Sequence, residues 1–375
     1  MTGDAPRVAI VHDYLTQRGG AERVVLALAR AFPGAPIHTS FYSPDETFPE
    51  FAQLDVRTMA LDRVRVLREH HRLALPVLAP AFSRLRVDAD VVVCSSTGWA
   101  HGADVRGRRV VYCHSPARWL WVKDQYVPPG SSLVKRASLA VMERPLRRWD
   151  VRAARRADRY IVNSTLIRDR VARAYGIDAE IVPPPFSLDA GSPQRRPDAL
   201  PPAVGPGLFV CVSRLLPYKN VRPVVEAFAG RPDRQLVVVG SGPEESELRA
   251  LAGANVAFTG TVGDAELAWL YAHAAGLIAA SYEDFGITPL EAAAFGVPIA
   301  ALRWGGFLDT VREGETGVFF DEPTAARIGD AVDRLTARQW DRDLLRAHAA
   351  TFSEPRFAAR LQAIVEQEQV RGQRG

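Results

Sequence analysis

Short runs of β-branched and other apolar residues alternate along the chain with longer stretches whose apolar positions recur every three or four residues. In the first half RVAIVH, ADVVVCSS, RRVVYCHS and DRYIVNS have the length of strands, and AERVVLALARAF, which follows the first of them, has the helical period. A second series begins at Leu208, with LFVCVSR, QLVVVG, VAFTG, GLIAAS and PIAAL as strands and VRPVVEAFAG, ESELRALAG, DAELAWLYAHA and PLEAAAFG as helices. The runs are apolar throughout instead of alternating, which is how strands read when helices cover both faces of a parallel sheet. The pattern predicts an α/β protein with two doubly wound domains. Between the series, Pro183 to Gly207 opens on IVPPPF and closes on PPAVGPG, a composition that stiffens the backbone and denies it helix or sheet. The predicted organisation is an N-terminal domain over 1–186, a linker over 187–207, a C-terminal domain over 208–352 and a terminal helix over 353–375. That helix starts at Ser353 with a partial capping box, Arg356 standing where Glu is preferred. It carries Phe357, Leu361 and Ile364 on one face, and is expected to pack back toward the N-terminal domain. Open parallel sheets bind ligands beyond the carboxyl ends of their strands, so function is expected in a cleft between the two domains.

Composition narrows the class. A chain of 375 residues exceeds what one core usually spans, and 47% hydrophobic with 24% charged residues excludes a disordered, fibrous or membrane-embedded chain. Outside the strands the longest apolar stretch, Leu73 to Phe82, contains two prolines and falls short of the roughly 20 residues that span a bilayer. Cys94, Cys113 and Cys211 each lie in a β-branched run and read as small buried hydrophobes. Their odd number, without CxxC or an N-terminal apolar segment, points to a reducing compartment, with the cytoplasm as the expectation. Of the 47 basic residues three are Lys, so each lysine draws attention, while the net charge is only +4. Lys135 to Arg173 holds twelve basic residues against four acidic ones; it reads as a solvated helix face, or as a peripheral contact with anionic lipid or a phosphorylated lipid acceptor.

Two segments of the second half carry chemistry. Glu283-Asp-Phe-Gly-Ile-Thr-Pro-Leu-Glu291 follows a strand and opens a helix. Thr288 is a good N-cap, Pro289 suits the first helical position, and Glu291 falls third, so a capping box is one account of Glu291. No Lys or Arg occurs from Leu251 to Ala300, so the cationic partners of these carboxylates must come from elsewhere in the chain. A carboxylate there can accept from sugar hydroxyls, while the N–H groups of Gly286, Ile287 and Thr288 suit an anion, a pairing that suggests a nucleotide-sugar. Ser213-Arg-Leu-Leu-Pro-Tyr-Lys-Asn220 follows the first strand of this half, and Arg214 and Lys219 are placed to neutralise a diphosphate.

SRLLPYKN, VVVGSGP and EDFGITPLEAAAFGVP together resemble the family 4 retaining glycosyltransferases of GT-B architecture, whose mark is a Glu-x7-Glu spacing, met here by Glu283 and Glu291. HDYLTQRGGAERV is similar to the family's glycine-rich loop, and VYCHSPARW to its active-site histidine segment in bacterial mannosyltransferases of polysaccharide assembly. The resemblance covers nearly the whole chain. It implies two Rossmann-like domains facing across a cleft, the first for the acceptor and the second for the donor. It further implies that Arg214 and Lys219 hold the donor diphosphate, Glu283 meets the sugar hydroxyls, Glu291 the ribose, Gly19 and Gly20 approach the phosphates, and His114 contacts the donor sugar. Catalysis would rest on His114, Glu283, Arg214 and Lys219. The implied reaction is metal-independent transfer of a hexose, mannose from GDP-mannose, with no resident cofactor. The acceptor would be a glycan, a lipid-linked sugar or a small molecule, near Tyr14, Trp99, Arg118 and Trp119.

Two features depart from the pattern. Gly305-Gly-Phe-Leu-Asp309 resembles the family's Gly-Gly loop but has Asp where Glu is usual. Asp88-Ala-Asp90 is formally a DxD metal motif, yet it precedes a strand far from the diphosphate loops and reads as a turn, and no metal is expected. Gly240-Ser-Gly242 lacks the third glycine of a dinucleotide loop, which argues against a dehydrogenase. Other readings are a UDP- or ADP-sugar donor, an epimerase or phosphorylase of the same architecture, and a basic nucleic-acid-binding protein. The last lacks interleaved aromatics and a binding module, so no nucleic acid is expected.

Overall fold

The computed structural model describes residues 6–69, 74–122 and 133–374, the side chains of 69, 76 and 133–141 excepted. Of the sequence features above, Leu73 and the side chain of Lys135 lie outside the described residues. The chain divides into two compact units, residues 1–184 with 355–375, and residues 185–354.

In the first unit β1 (Val8–His12), β2 (Ile37–Thr39), β3 (Val56–Thr58), β4 (Arg86–Ser96), β5 (Asp104–Cys113), β6 (Arg159–Val162) and β7 (Glu180–Ile181) form an all-parallel sheet in the order β3-β2-β1-β4-β5-β6-β7. Alternate residues of one strand enter different cores: Val92 and Cys94 lie in one apolar cluster with Val11 and Val111, Val91 and Val93 in the other with Ile10 and Tyr112. Burial on both faces is the reason the apolar runs of these strands carry no polar alternation. β4 starts at Arg86, so Asp88 and Asp90 stand within the strand instead of in a turn before it. Asp90 accepts from the Arg7 amide at 2.9 Å and its guanidinium at 3.1 Å, and these bonds hold its carboxyl below the usual range.

The helix Glu354–Arg374 lies almost wholly in this unit, although it follows the second in sequence. Phe357, Leu361, Ile364 and Val365 are buried in the cluster that contains Ile10, Leu28 and Tyr112, and the Phe357 ring meets Tyr112 edge-on at 5.8 Å. Ion pairs fasten its rim: Arg108 with the buried Glu368, and Arg360 with Glu180.

In the second unit β8 (Leu208–Val212), β9 (Leu236–Val239), β10 (Val256–Gly260), β11 (Ala274–Ala279), β12 (Ile299–Leu302) and β13 (Gly317–Phe320) make another all-parallel sheet, ordered β10-β9-β8-β11-β12-β13. Counted from its own first strand, this is the 3-2-1-4-5-6 order of a doubly wound dinucleotide-type fold. The segment 187–207 is not a free linker. Leu188, Leu200 and Val204 are buried in the second unit's core, the Arg195 amide donates to Ala265 O at 2.9 Å, and the Arg196 guanidinium caps Leu200, Pro201 and Val204 carbonyls. Proline denies this segment regular structure, but its apolar side chains still gain by burial, so it becomes a strap over one unit.

All three cysteines are buried in strands as thiols, not disulfides; burial pushes the Cys94 and Cys211 thiols up to about 12. Among the described residues no helix is long and apolar enough to cross a membrane. Much of the described part of the basic segment is engaged within the first unit: Arg147 donates to Leu120 O and lies over the Trp121 ring, Arg155 donates to Tyr175 O, and Arg159 pairs with Glu180.

Candidate active site

In each sheet the strand order reverses between the first and fourth strands, and ligands of such folds bind beyond the carboxyl ends of that pair. In the second unit these ends release the two segments singled out above. Ser213 to Asn220 leaves β8 and Ser281 to Ile287 leaves β11. Asn220 joins them: at φ 53° it is the non-glycine residue in the left-handed region among the described residues, and its side-chain amide donates to Ala280 O at 2.9 Å. This turn buries Lys219, whose ammonium donates to Glu283 Oε1; Ser281 Oγ donates to the same oxygen at 3.1 Å. The cation missing from the sequence around Glu283 is therefore Lys219. Arg214 is exposed and donates to Tyr218 Oη at 3.0 Å, while Lys219 Nζ lies 5.0 Å from the centre of the Tyr218 ring. One tyrosine thus props both cations.

The glycine motifs serve these loops. Gly240 has φ +124°, and a Cβ there would stand 2.0 Å from Ser213 O; at Gly242 it would stand 2.3 Å from Leu215 O. The Gly-Ser-Gly turn after β9 is thus the bed of the Arg214 loop, and the Leu215 amide donates to Ser241 O at 2.9 Å. Gly306 is pressed on Phe285 in the same way, and its amide donates to Glu283 O at 3.0 Å. Asp309 falls in the first turn of the short helix Phe307–Thr310 that follows.

The helix holding Glu291 spans Thr288–Ala294, one residue earlier than its sequence suggests, with Ile287 as N-cap and no side-chain cap. Thr288 and Glu291 therefore form no capping box. Glu291 is buried and accepts from Tyr271 Oη at 3.2 Å. Gly286, Ile287 and Thr288 are half-buried at the helix start, where Gly286 at φ +84° makes the turn.

In the first unit His12 ends β1 and Asp13 follows it, Ser95 and Ser96 end β4 and Thr97 to Trp99 follow, and His114 follows β5. Asp13 Oδ1 accepts from the Trp99 and Ala100 amides at 3.1 and 2.6 Å, and Oδ2 from the Thr97 amide at 2.6 Å. This carboxylate ties the β4 loop to β1. His114 Nε2 lies 2.8 Å from Ser95 Oγ, which lies 3.1 Å from His12 Nδ1. The Asn163 amide donates to His114 O at 3.1 Å. Burial, then His12 and Arg118, push His114 down to about 3, so it is neutral at physiological pH. Gly19 is the N-cap and Gly20 the first residue of the helix Gly20–Ala31; a Cβ at Gly19 would meet Glu22 Oε2 at 2.6 Å. Glu22 is buried, accepts from Gln17 Nε2 at 3.1 Å, and is raised above the usual carboxylate range by that burial.

The aromatic surface expected for an acceptor is divided. Trp99 is buried, stacked on Trp119 at 5.3 Å and tilted against Trp149 at 5.7 Å, so its indole is core and not a platform. Tyr14 and Trp119 are half-buried and Arg118 is exposed. Ser96, His101 and Asp150 stand in triad order, with Ser96 Oγ 2.8 Å from His101 Nδ1 and His101 Nε2 3.0 Å from Asp150 Oδ1. All three are buried, and Asp150 also accepts from Trp121 Nε1 at 2.7 Å and Tyr175 Oη at 2.8 Å, which makes the group a brace. Sequence reading overlooked His12, Asp13, Ser95, Asn163, Tyr218 and Ser281. Most of these polar residues end or directly follow apolar strand runs, which is the signal that could have found them.

Residues 18–190 match the family described as Glycosyltransferase Family 4, and residues 194–351 match Glycosyl transferases group 1. The chain belongs to the family 4 glycosyltransferases. The GDP-mannose-dependent alpha-(1-6)-phosphatidylinositol monomannoside mannosyltransferase of Mycobacterium tuberculosis is 34% identical over 247 residues, 52% of this chain and 62% of that relative. The D-inositol 3-phosphate glycosyltransferase of Mycobacterium bovis is 34% identical over 222 residues, 52% of this chain and 46% of that relative. The matches thus span 46 to 62% of the length of these curated relatives. Among solved structures, Anabaena HepE in complex with UDP-glucose aligns with a TM-score of 0.71 at 18% identity, over 96% of this chain and 99% of that one. Sucrose-phosphate synthase from Thermosynechococcus elongatus aligns with a TM-score of 0.69 at 21% identity, over 96% and 98%. The fold of this glycosyltransferase is α/β of the GT-B type.

Proposed function

We propose that this glycosyltransferase transfers a hexose with retention from a nucleoside diphosphate sugar, GDP-mannose, to a hydroxyl of a glycan, lipid-linked sugar or small-molecule acceptor. The observation that carries the reading is the gathering of Arg214, Lys219 and Glu283 beyond the β8 and β11 ends, where a doubly wound sheet takes its ligand. The mannosyltransferase relative, named for GDP-mannose, supports the donor, and the phosphatidylinositol monomannoside and D-inositol 3-phosphate in the two relatives' names support a lipid-linked or polyol acceptor. Breaking the bond between anomeric carbon and phosphate leaves negative charge on the diphosphate and oxocarbenium character on the sugar. Arg214 and Lys219, already held by Tyr218 and Glu283, are assigned the first charge, so they need little reorganisation as it grows. Glu283 is assigned the sugar hydroxyls, Glu291 the ribose, Gly19 and Gly20 the phosphates, and His114 a hydrogen bond to the donor sugar. The proposal includes no carboxylate nucleophile of the retaining-glycosidase kind; the acceptor attacks on the face the diphosphate leaves, and a phosphate oxygen takes its proton. Neutralisation by two side-chain cations makes the reaction metal-independent. The expected place of action is the cytoplasm, at the inner face of the membrane for a lipid-linked acceptor.

Thermal stabilisation by GDP, UDP and ADP, each with and without Mg²⁺, tests this. A nucleotide at 100 times its dissociation constant adds about 2.7 kcal/mol to the stability of the unit that binds it. A shift with GDP and GDP-mannose alone, independent of Mg²⁺, is expected. A shift with UDP, the nucleotide of the HepE complex, moves the donor to a UDP-sugar, and no shift with any nucleotide in a folded protein overturns the reading.

A further inference from the structure

We infer that Ser95 is a positioning residue that holds His114 as its Nδ1–H tautomer, with His12 setting the direction of the serine hydroxyl. The three side chains are buried at the ends of three neighbouring strands, β1, β4 and β5, and the atoms that meet, His12 Nδ1, Ser95 Oγ and His114 Nε2, take one another as partners. The hydrogens can then be counted. His12 Nδ1 lies 3.1 Å from Ser95 O, and a carbonyl oxygen only accepts, so His12 Nδ1 carries hydrogen. The same N–H faces Ser95 Oγ at 3.1 Å, so the hydroxyl accepts on that side. Its single hydrogen is left for His114 Nε2, 2.8 Å away, which must present its lone pair. The neutral His114 ring then carries its hydrogen on Nδ1, which forms no hydrogen bond among the described residues. His114 thus offers an incoming group an N–H donor, and its basic nitrogen is occupied by Ser95. Asn163, bonded to His114 O, fixes the backbone from which the ring projects.

The catalytic consequence rests on the glycosyltransferase reading above, whereas the tautomer does not. The full chain labelled with ¹⁵N-histidine reads it directly through two-bond ¹H–¹⁵N correlations, with His114→Gln assigning the signal. The expected spectrum has Nε2 of His114 unprotonated and Nδ1 protonated. In Ser95→Ala the ring is expected to move toward the Nε2–H form intrinsic to free histidine. Turnover should fall at least ~10-fold with the donor KM within about twofold, because the donor N–H is then misplaced in the transition state. Ser95→Thr, which keeps a hydroxyl, should restore both tautomer and turnover. An Nε2–H tautomer in the unaltered protein, or one that Ser95→Ala leaves unchanged, overturns the inference. A protein that transfers no sugar refutes the function while the spectrum still decides the tautomer.

Discussion

Lys219 is the residue whose burial matters most for the proposed donor site. It is 8% exposed, bonded to Glu283 and lying near the Tyr218 ring, so its ammonium is held before any ligand arrives. Lys219→Ala is expected to lower kcat/KM by at least ~2 kcal/mol, about 30-fold, the scale of a lost charge-assisted contact. Steady-state kinetics on the nucleotide-sugar that shifts the melting temperature checks this. Asp150 has a different kind of importance, since it collects Trp121, Tyr175 and His101 in the first unit's core. Asp150→Ala strands these partners without an acceptor and should cost about 3 kcal/mol of stability, read from the shift of the denaturant midpoint at constant m-value. Nucleotide binding to the second unit should survive it. Both residues are short-range puzzles in sequence: a lysine in a turn and an aspartate in a basic helix acquire meaning only from partners 64 and 29 residues away.

Among the elements, the loop from Glu283 to Ile287 and the helix Glu354–Arg374 are the most exposed to single changes. Gly286 has φ +84°, and a Cβ there would lie 2.5 Å from the Phe307 ring. Gly286→Ala therefore combines roughly 1 kcal/mol of backbone strain with a displaced ring. The loop carrying Glu283 shifts with it, and a raised donor KM with modest loss of melting temperature is the expected result. Removing residues 354–375 strips Phe357, Leu361, Ile364 and Val365 from the first unit's core, each contributing about 1.5–3 kcal/mol by burial. Calorimetry should then show the first unit's transition lost or greatly lowered while that of the second remains, despite the helix being its neighbour in sequence. The apolar spacing of this helix was legible in the sequence, since one face at i, i+4 and i+7 must be buried somewhere. The 187–207 segment was misread as a linker because proline content reports backbone freedom and is silent on whether Leu188, Leu200 and Val204 find a core.

For the molecule as a whole, the titration of buried groups sets an acid limit. His114 takes up its proton near pH 3 in the folded unit, against an ordinary 6.5 in the unfolded chain. Its contribution is complete above pH 6.5. Between 6.5 and 3 the unfolded chain holds a proton the folded unit refuses, so stability falls by up to ~1.4 kcal/mol per pH unit as pH drops. Burial lowers His348 and His38 in the same direction, whereas the raised carboxyl of Glu22 acts oppositely and favours the fold below its unfolded value of 4.5. Denaturant midpoints measured from pH 7 to 4 should therefore fall, and His114→Gln should flatten the slope. An unaltered slope in that variant shows that the ring is solvated.

The sequence by itself determined the class and the order of elements, because two-sided burial of parallel strands and one-sided burial of helices leave periodic marks that no long-range contact is needed to read. It also singled out Arg214, Lys219 and Glu283, in loops that follow apolar runs, and Glu291, in the first turn of the helix after one, since such positions stand at the carboxyl edge of a sheet. Tertiary structure decided which of these meet. It brought Lys219 to Glu283, turned Glu291 inward to Tyr271, took Trp99 into the core, and aligned His12, Ser95 and His114 across adjacent strands. Those outcomes depend on strand order and register, which join residues as far as 83 positions apart through hydrogen bonds that leave no periodic trace in the chain.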